Sequence, residues 1–231
     1  MMSKNNYTII ALGGSLISPA PGKINTGFLK RFQELILDYL EKGKKFVIVA
    51  GGGKTCRLYQ KAASKIVAVS DEDIDWLGIH NTRLNAHLLR TIFFKEAHPI
   101  ILDKPQKSIK TNPCLIIASG WQPGYSTDFI AIRLAQRFKA KSVIIASNIS
   151  YVYEKDPAKH KGVKKFLKIS WQDYRKLIKD QWKPGMNAPM DPIAAKLAQK
   201  LKLKVVLFKG TELKNFRDYL ENRIFKGTTI Y

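Results

Sequence analysis

Residues 45–57 read Lys45-Phe46-Val47-Ile48-Val49-Ala50-Gly51-Gly52-Gly53-Lys54-Thr55-Cys56-Arg57. The apolar, β-branched run Phe46 to Ala50 predicts a buried strand, and Thr55 to Ile66 predicts a helix. Three glycines between them let the backbone come close to a ligand. The free N–H groups of a helix start favour an anion there. Lys54 and Arg57 add positive charge at the same mouth. A phosphate cradle is one reading of this stretch, and a plain strand-to-helix turn is the other. Neither familiar phosphate motif fits. A P-loop needs glycine where Ile48 stands, and the dinucleotide fingerprint needs it where Cys56 stands.

Working upstream, Tyr7 to Leu12 is a second apolar run and meets Gly13-Gly14-Ser15. Ser18 to Lys23 predicts a loop. Thr26 is the expected cap of a helix whose Phe28, Leu29, Phe32, Leu35, Ile36, Tyr39 and Leu40 share one face at the 3.6-residue period. Gly43 is its natural stop. The first fifty residues therefore form one βαβ unit. Its two parallel strands end in glycine turns at the sheet edge where ligands gather.

Downstream, a long helix is expected from Asp71 to about Lys95, with Gly78 marking a tight helix contact or a break. Two short strands follow, Pro99 to Leu102 and Cys114 to Ala118. The stretch Ser119-Gly120-Trp121-Gln122-Pro123-Gly124-Tyr125-Ser126-Thr127-Asp128 carries hydroxyls and glycines into a helix start. It suits a phosphate or sugar, or else Thr127 or Asp128 only caps the helix. Ser142 to Ala146 is a buried strand, and the polar loop after it carries Tyr151 and Tyr153, against which a planar base could lie. Ser170-Trp171-Gln172-Asp173 reads as a capping box, Trp182 to Pro192 as irregular, and Ile193 to Leu201 as a helix. A strand at Val205 to Phe208 and a helix from Glu212 to Asn222 complete the alternation. The expected fold is α/β: a three-layer α/β/α open, mostly parallel sheet in one domain, 1–231.

The chain has 231 residues, 45% of them hydrophobic, enough for a proper core. No run of eighteen apolar residues predicts a membrane span, and the short polar N-terminus does not read as a signal peptide. Cys56 and Cys114 lie far apart with no metal spacing, which points to a reducing, cytoplasmic setting and no protein metal site. Forty Lys+Arg against eighteen Asp+Glu give a formal charge of +22. Such a field supports nonspecific, charge-driven nucleic-acid binding, or it reflects basic residues spread over solvated faces.

Taken in order, these loops resemble the amino acid kinase superfamily, and within it the archaeal type of uridylate kinase. The resemblance covers nearly the whole chain. It rests on Gly13-Gly14-Ser15, Gly51 to Lys54 with Arg57, Gly78-Ile79 with Thr82-Arg83 and Asn85-Ala86, and Pro123-Gly124 with Thr127-Asp128. It continues through Asn148, Val152-Tyr153 and Asp156-Pro157 to Asp191-Pro192 and the terminal Gly227-Thr228-Thr229-Ile230. What it implies is ATP-dependent phosphorylation of UMP to UDP with Mg²⁺. A lobe of about residues 1–140 would bind the acceptor and a lobe of about 141–231 would bind ATP. Gly52, Asp75 and Trp121, Gln122, Pro123, Gly124, Tyr125, Ser126 and Thr127 would hold UMP. Ala11, Gly13, Gly14, Ser15, Gly53, Arg57, Ser147, Asn148, Tyr153 and Asp156 would hold ATP. Lys54, Arg57 and Asp128 would be catalytic, and the assembly would be a homo-oligomer, a hexamer of dimers.

Three departures from the family pattern bear on this. Ala11 stands where many members have Lys, Ser150-Tyr151 where Asp-Gly is usual, and Trp121 where Thr is usual beside UMP. They motivate two alternatives: a kinase of the same fold with another small phosphate or acid acceptor, and a non-catalytic nucleotide- or nucleic-acid-binding protein.

Overall fold

The computed structural model describes residues 7–160, 162–178 and 188–231. The elements run β1 (Tyr7–Leu12), α1 (Gly14–Ile17), α2 (Thr26–Glu41), β2 (Lys45–Ala50), α3 (Gly53–Ile66), α4 (Asp71–Ile92), β3 (Leu115–Ala118), α5 (Thr127–Phe138) and β4 (Ser142–Ser147). They continue as β5 (Val152–Tyr153), β6 (Lys165–Phe166), β7 (Lys168–Ile169), α6 (Trp171–Leu177), α7 (Pro192–Lys200), β8 (Lys204–Lys209), α8 (Leu213–Leu220) and β9 (Thr228–Ile230).

The main sheet has the order β3-β2-β1-β4-β8-β9-β7, and β5 and β6 form a separate antiparallel pair. All its pairings are parallel except β8 with β9. Parallel strands crossed by helices must be covered on both faces, which is why their sequences are apolar at successive positions instead of alternating. Ile9, Ala11, Val47 and Val49 pack on α5 and α7 through Ile130, Leu134, Ala194 and Ala198. Ile10, Leu12, Phe46 and Ile48 pack on α2, α4 and α8 through Phe28, Phe32, Leu89 and Phe216.

Register positions the site. Tyr7 pairs with Lys45 and Leu12 with Ala50, so β1 and β2 are flush. Gly13 and Gly51 therefore leave the sheet at the same height. The order reverses between β1 and β4, which is the switch point where open α/β sheets gather ligands.

Several sequence expectations need correction. Asn25, not Thr26, caps α2, accepting from the Phe28 N–H. Ser126, not Thr127 or Asp128, caps α5, accepting from the Phe129 N–H. Helix α3 starts at Gly53, two residues early, because Gly53 takes φ +77 and lets the chain turn at once. Pro99 to Leu102 is not a strand; only Leu102 bridges to Ala118. Gly78 is a tight contact, not a break: α4 runs through it, and a Cβ there would lie 3.4 Å from Gln60 Nε2 and 3.6 Å from Cys56 Sγ. Of the irregular stretch Trp182 to Pro192, residues 182–187 lie outside the described residues.

Candidate active site

The two glycine turns touch through bare backbone. The Gly51 N–H donates to the Leu12 carbonyl at 2.9 Å, and the Lys54 N–H to the Ser18 carbonyl at 3.0 Å. The Ser18 and Thr55 hydroxyls share a 2.8 Å hydrogen bond between the same turns. A Cβ on Gly14 would stand 2.0 Å from the Gly53 nitrogen, so only glycine allows this approach. Helix α4 clamps the second turn from outside: the Asn85 amide donates to the Gly51 and Gly52 carbonyls at 2.7 and 3.2 Å.

Above this junction opens a cavity of about 420 Å³. Gly14, Ser15, Gly52, Gly53, Lys54 and Arg57 line one side, and Asp75, Tyr125, Ser126, Thr127, Asp128 and Asn148 line another. Thus twelve sequence-derived site residues meet in one space. Neither Lys54 nor Arg57 has an ion-pair partner among the described residues. Two free cations beside the N-terminus of a fourteen-residue helix make the wall electropositive and suited to phosphate.

The opposite wall is acidic and partly desolvated. Asp75 Oδ2 accepts the Gly124 N–H at 2.7 Å, tying α4 to the loop before α5. Burial raises its pKa, and Asp71 adds to this while the Gly124 bond opposes it. Asp128 is pushed up to about 7, first by burial and then by the charge of Asp191. Asp191 caps α7, accepting from the Ile193 and Ala194 N–H groups at 2.8 and 2.9 Å, and takes the Ser126 hydroxyl as well. Its own pKa is raised, burial being the largest cause. Tyr174 secures this corner by accepting from the Met190 N–H and donating to its carbonyl, both at 2.9 Å.

Other expected site residues lie elsewhere. Gln122, Pro123 and Gly124 line an adjoining groove with Asp75 and Trp76. Trp121 lines neither space. Its ring stacks on Tyr125 at 5.4 Å and packs against the core, and Tyr125 in turn stacks on Phe129 at 4.4 Å. Ala11 is buried within β1. Gly13 is drawn into the sheet, its N–H donating to the Ala146 carbonyl at 2.8 Å. The Ser147 hydroxyl accepts the Ile149 N–H at 3.2 Å, which shapes the loop that presents Asn148. Tyr153 and Asp156 are outside the cavity wall. Ser150 and Tyr151 sit at ordinary negative φ, so the loop does not need the glycine usual there.

The cavity also includes Cys56 and Gln60, to which sequence reading gives no site role, and Ile79, Thr82 and Gly120, which stand in its motifs without a role; Asp191, expected with Asp128 to orient neighbouring cationic and N–H groups, is a wall residue too. Thr82 accepts the Gly120 N–H at 2.8 Å and donates to the Ile79 carbonyl at 2.6 Å, closing the floor. Burial pushes the Cys56 thiol up to about 11, so it acts as packing under Gly52 and Gly78. Among the described residues no group of three or more His, Cys, Asp or Glu is placed to hold a metal. No helix among them is long and apolar enough to cross a membrane.

A mostly parallel sheet with facing glycine turns and free cations beside a cavity of about 420 Å³ at the switch point defines a phosphoryl-handling α/β protein. The family model for the amino acid kinase family matches residues 6–209, and the chain belongs to that family. Its relatives there are archaeal uridylate kinases. The uridylate kinase of Methanocaldococcus jannaschii is 32% identical over 228 residues, covering 96% of this chain and 98% of the relative. That of Hyperthermus butylicus is 28% identical over 216 residues, covering 90% and 91%. The crystal structure of uridylate kinase from Archaeoglobus fulgidus matches with a TM-score of 0.81 at 28% identity, over 97% of this chain and 99% of that one. The UMP kinase of Bacillus anthracis shares the fold, with a TM-score of 0.77 at 20% identity.

Proposed function

We propose that this chain transfers the terminal phosphoryl group of ATP to UMP, giving UDP and ADP. The observation that carries this reading is the backbone contact between the Gly13-Gly14 and Gly51-Gly53 turns beneath one cavity, with Lys54 and Arg57 unpaired beside it. Kinship to archaeal uridylate kinases supplies the acceptor. UMP lies toward Gly52, Asp75 and the 121–127 loop of the lobe of residues 1–140. Asp75 faces the ribose hydroxyls. ATP lies across Gly13, Gly14, Ser15 and Gly53, with its nucleoside toward Ser147, Asn148, Tyr153 and Asp156 of the lobe of residues 141–231.

A phosphate oxygen of UMP bonds to the γ-phosphorus as the bond from that phosphorus to the β-bridging oxygen breaks, and ADP leaves with the electron pair. The acceptor is already an anion at neutral pH, so no general base is required. Catalysis is positioning and neutralisation of equatorial charge. Lys54 and Arg57 provide fixed cations, and the backbone N–H groups of Gly14 and Gly53 orient the phosphates. The residues fit a Mg²⁺ carried mainly by phosphate oxygens, since that ion needs only one or two carboxylates and Asp128 is the cavity carboxylate with fewest internal bonds. Mg²⁺, when bound there, would supply positive charge that offsets the phosphates' own. Asp128 and Asp191 orient the neighbouring cationic and N–H groups.

A coupled ADP-release assay with UMP, CMP, dCMP and no acceptor tests the reading, with turnover expected to be highest on UMP. Arg57→Ala is expected to lower kcat about 100-fold, the scale of losing one charge-stabilising donor, while the melting temperature stays put because Arg57 is exposed and unpaired. Full turnover in that variant would remove Arg57 from the site. We further read the assembly as a homo-oligomer, a hexamer of dimers, which light scattering would check.

A further inference from the structure

Four helices return to the sheet at the pole opposite the cavity, and they do so through the same backbone motif. After α2, α5, α7 and α8 the residue beyond the helix is left-handed: Gly43 (φ 76), Lys139 (φ 53), Lys202 (φ 50) and Asn222 (φ 58). In each, its N–H reaches three residues back and the next N–H reaches five back. The pairs for α5 are Lys139 to Gln136 at 3.3 Å and Ala140 to Ala135 at 2.9 Å; for α7 they are Lys202 to Gln199 at 3.0 Å and Leu203 to Ala198 at 2.9 Å. Glycine, then asparagine, is the residue this motif favours. Gly43 and Asn222 obey that preference, whereas Lys139 and Lys202 do not.

These two lysines belong to a repeated charge pattern. Arg133, Arg137, Lys139 and Lys141 have the same spacing as Lys196, Lys200, Lys202 and Lys204. The two units are adjacent: β4 pairs with β8, Ser142 opposite Lys204. No acidic residue occurs in 129–153 or in 192–211. The other two turns differ in just this respect, since Asp38, Asp218 and Glu221 pair there with Lys42, Lys214, Arg217 and Arg223. Helix-dipole complementation accounts for a cation in a last turn, such as Arg137 or Lys200. It does not account for lysines in left-handed positions or at the strand starts, Lys141 and Lys204.

We propose that the paired α5–β4 and α7–β8 turns form a docking surface for the phosphate backbone of a nucleic acid. Six lysines (139, 141, 196, 200, 202 and 204) are exposed on it with no ion-pair partner among the described residues. They are spread over neighbouring strands and helices instead of converging, which suits an extended polyanion better than a single phosphate. None of the large exposed apolar side chains lies in these turns, and Ala140 and Leu203 point inward, so a membrane would find no apolar anchor. This function is separate from phosphoryl transfer, because β4 and β8 place Lys139, Lys141, Lys202 and Lys204 about 20 Å from the strand ends that carry the cavity, with Lys196 alone lying partway along α7.

The test is fluorescence anisotropy of the full chain with a single-stranded 20-nucleotide RNA from 50 to 200 mM KCl, together with thermal melts and the kinase assay. Wild type is expected to bind with a salt slope of roughly −4, from six lysines at about −0.7 each. Lys139→Gly/Lys202→Gly is expected to bind about 10-fold more weakly and to shallow the slope by roughly 1.4, with turnover unchanged. The same variant should melt roughly 4 °C higher, because glycine is the better residue in both turns. Opposite signs for stability and binding would separate a binding role from a structural one. The proposal is overturned if wild type does not bind at 50 mM KCl. It is equally overturned if the double variant keeps the wild-type affinity and slope, or if the remote pair Lys30→Gln/Lys61→Gln shallows the slope as much. Tighter binding to vesicles with 30% anionic lipid than to RNA would also overturn it.

Discussion

Gly14→Ala is expected to abolish turnover and to cost the fold about 3 kcal/mol or more, the upper range for overpacking. The added methyl would sit 2.0 Å from the Gly53 nitrogen and 2.5 and 2.6 Å from the Gly51 carbonyl carbon and oxygen. All three are backbone atoms held by the β1–β2 register and by the Asn85 clamp, so none can swing aside as a side chain would. Relief requires the turns to separate, which breaks the Gly51 to Leu12 and Lys54 to Ser18 hydrogen bonds and opens the cavity floor. Melting curves and ADP release measured on the same preparation check it. A variant with wild-type melting temperature and rate would show that the two turns do not depend on contact.

Asp128→Asn is expected to move stability and activity in opposite directions. In the folded protein Asp128 titrates at about 7, against 3.8 for an ordinary aspartate. The folded state therefore holds a proton that the unfolded chain has released between pH 4 and 7. Stability falls as pH rises through that window, and the full penalty is present above pH 7. At about 1.4 kcal/mol per unit, and allowing for solvent at the cavity mouth, the penalty is roughly 2–4 kcal/mol. Asparagine cannot ionise, so the variant should be more stable than wild type at pH 8, equal to it near pH 4, and should lose less stability between, the remaining slope coming from the raised Asp191 and Asp75. Turnover should drop if Asp128 has the orienting role proposed for it, because its carboxylate is gone. Chemical denaturation at pH 4.5, 6 and 8 measures this, and parallel pH profiles for the two proteins would contradict it.

The strands were legible because a sheet covered on both faces demands unbroken apolar runs, and Tyr7–Leu12, Lys45–Ala50 and Ser142–Ser147 have them. The glycine turns were legible as turns. Their contact was not, because it follows from the register between β1 and β2. Asp128 is legible as a helix-start acid, but its shifted protonation comes first from burial and then from Asp191, which the Ser126 hydroxyl joins across 65 residues of sequence, and neither is local. Cys56, Gln60 and Thr82 line the cavity only because α4 packs on α3, and no local pattern announces that. Trp121 stacks on Tyr125 and packs against the core, a placement that its position in a glycine- and proline-rich loop does not announce. Pro99 to Leu102 has strand composition but joins β3 through one bridge, since the chain approaches the sheet edge there without running along it.

The grip of Asn85 on the Gly51 and Gly52 carbonyls has a consequence for how such a protein can diverge. The cavity floor is set by two stretches of main chain and one amide, and a side chain on Gly14, Gly51 or Gly53 would run into backbone. The groove made by Asp75, Trp76 and the 122–124 segment is built from side chains on other supports. Descendants of this chain are therefore free to vary that groove while the cavity floor is inherited unaltered.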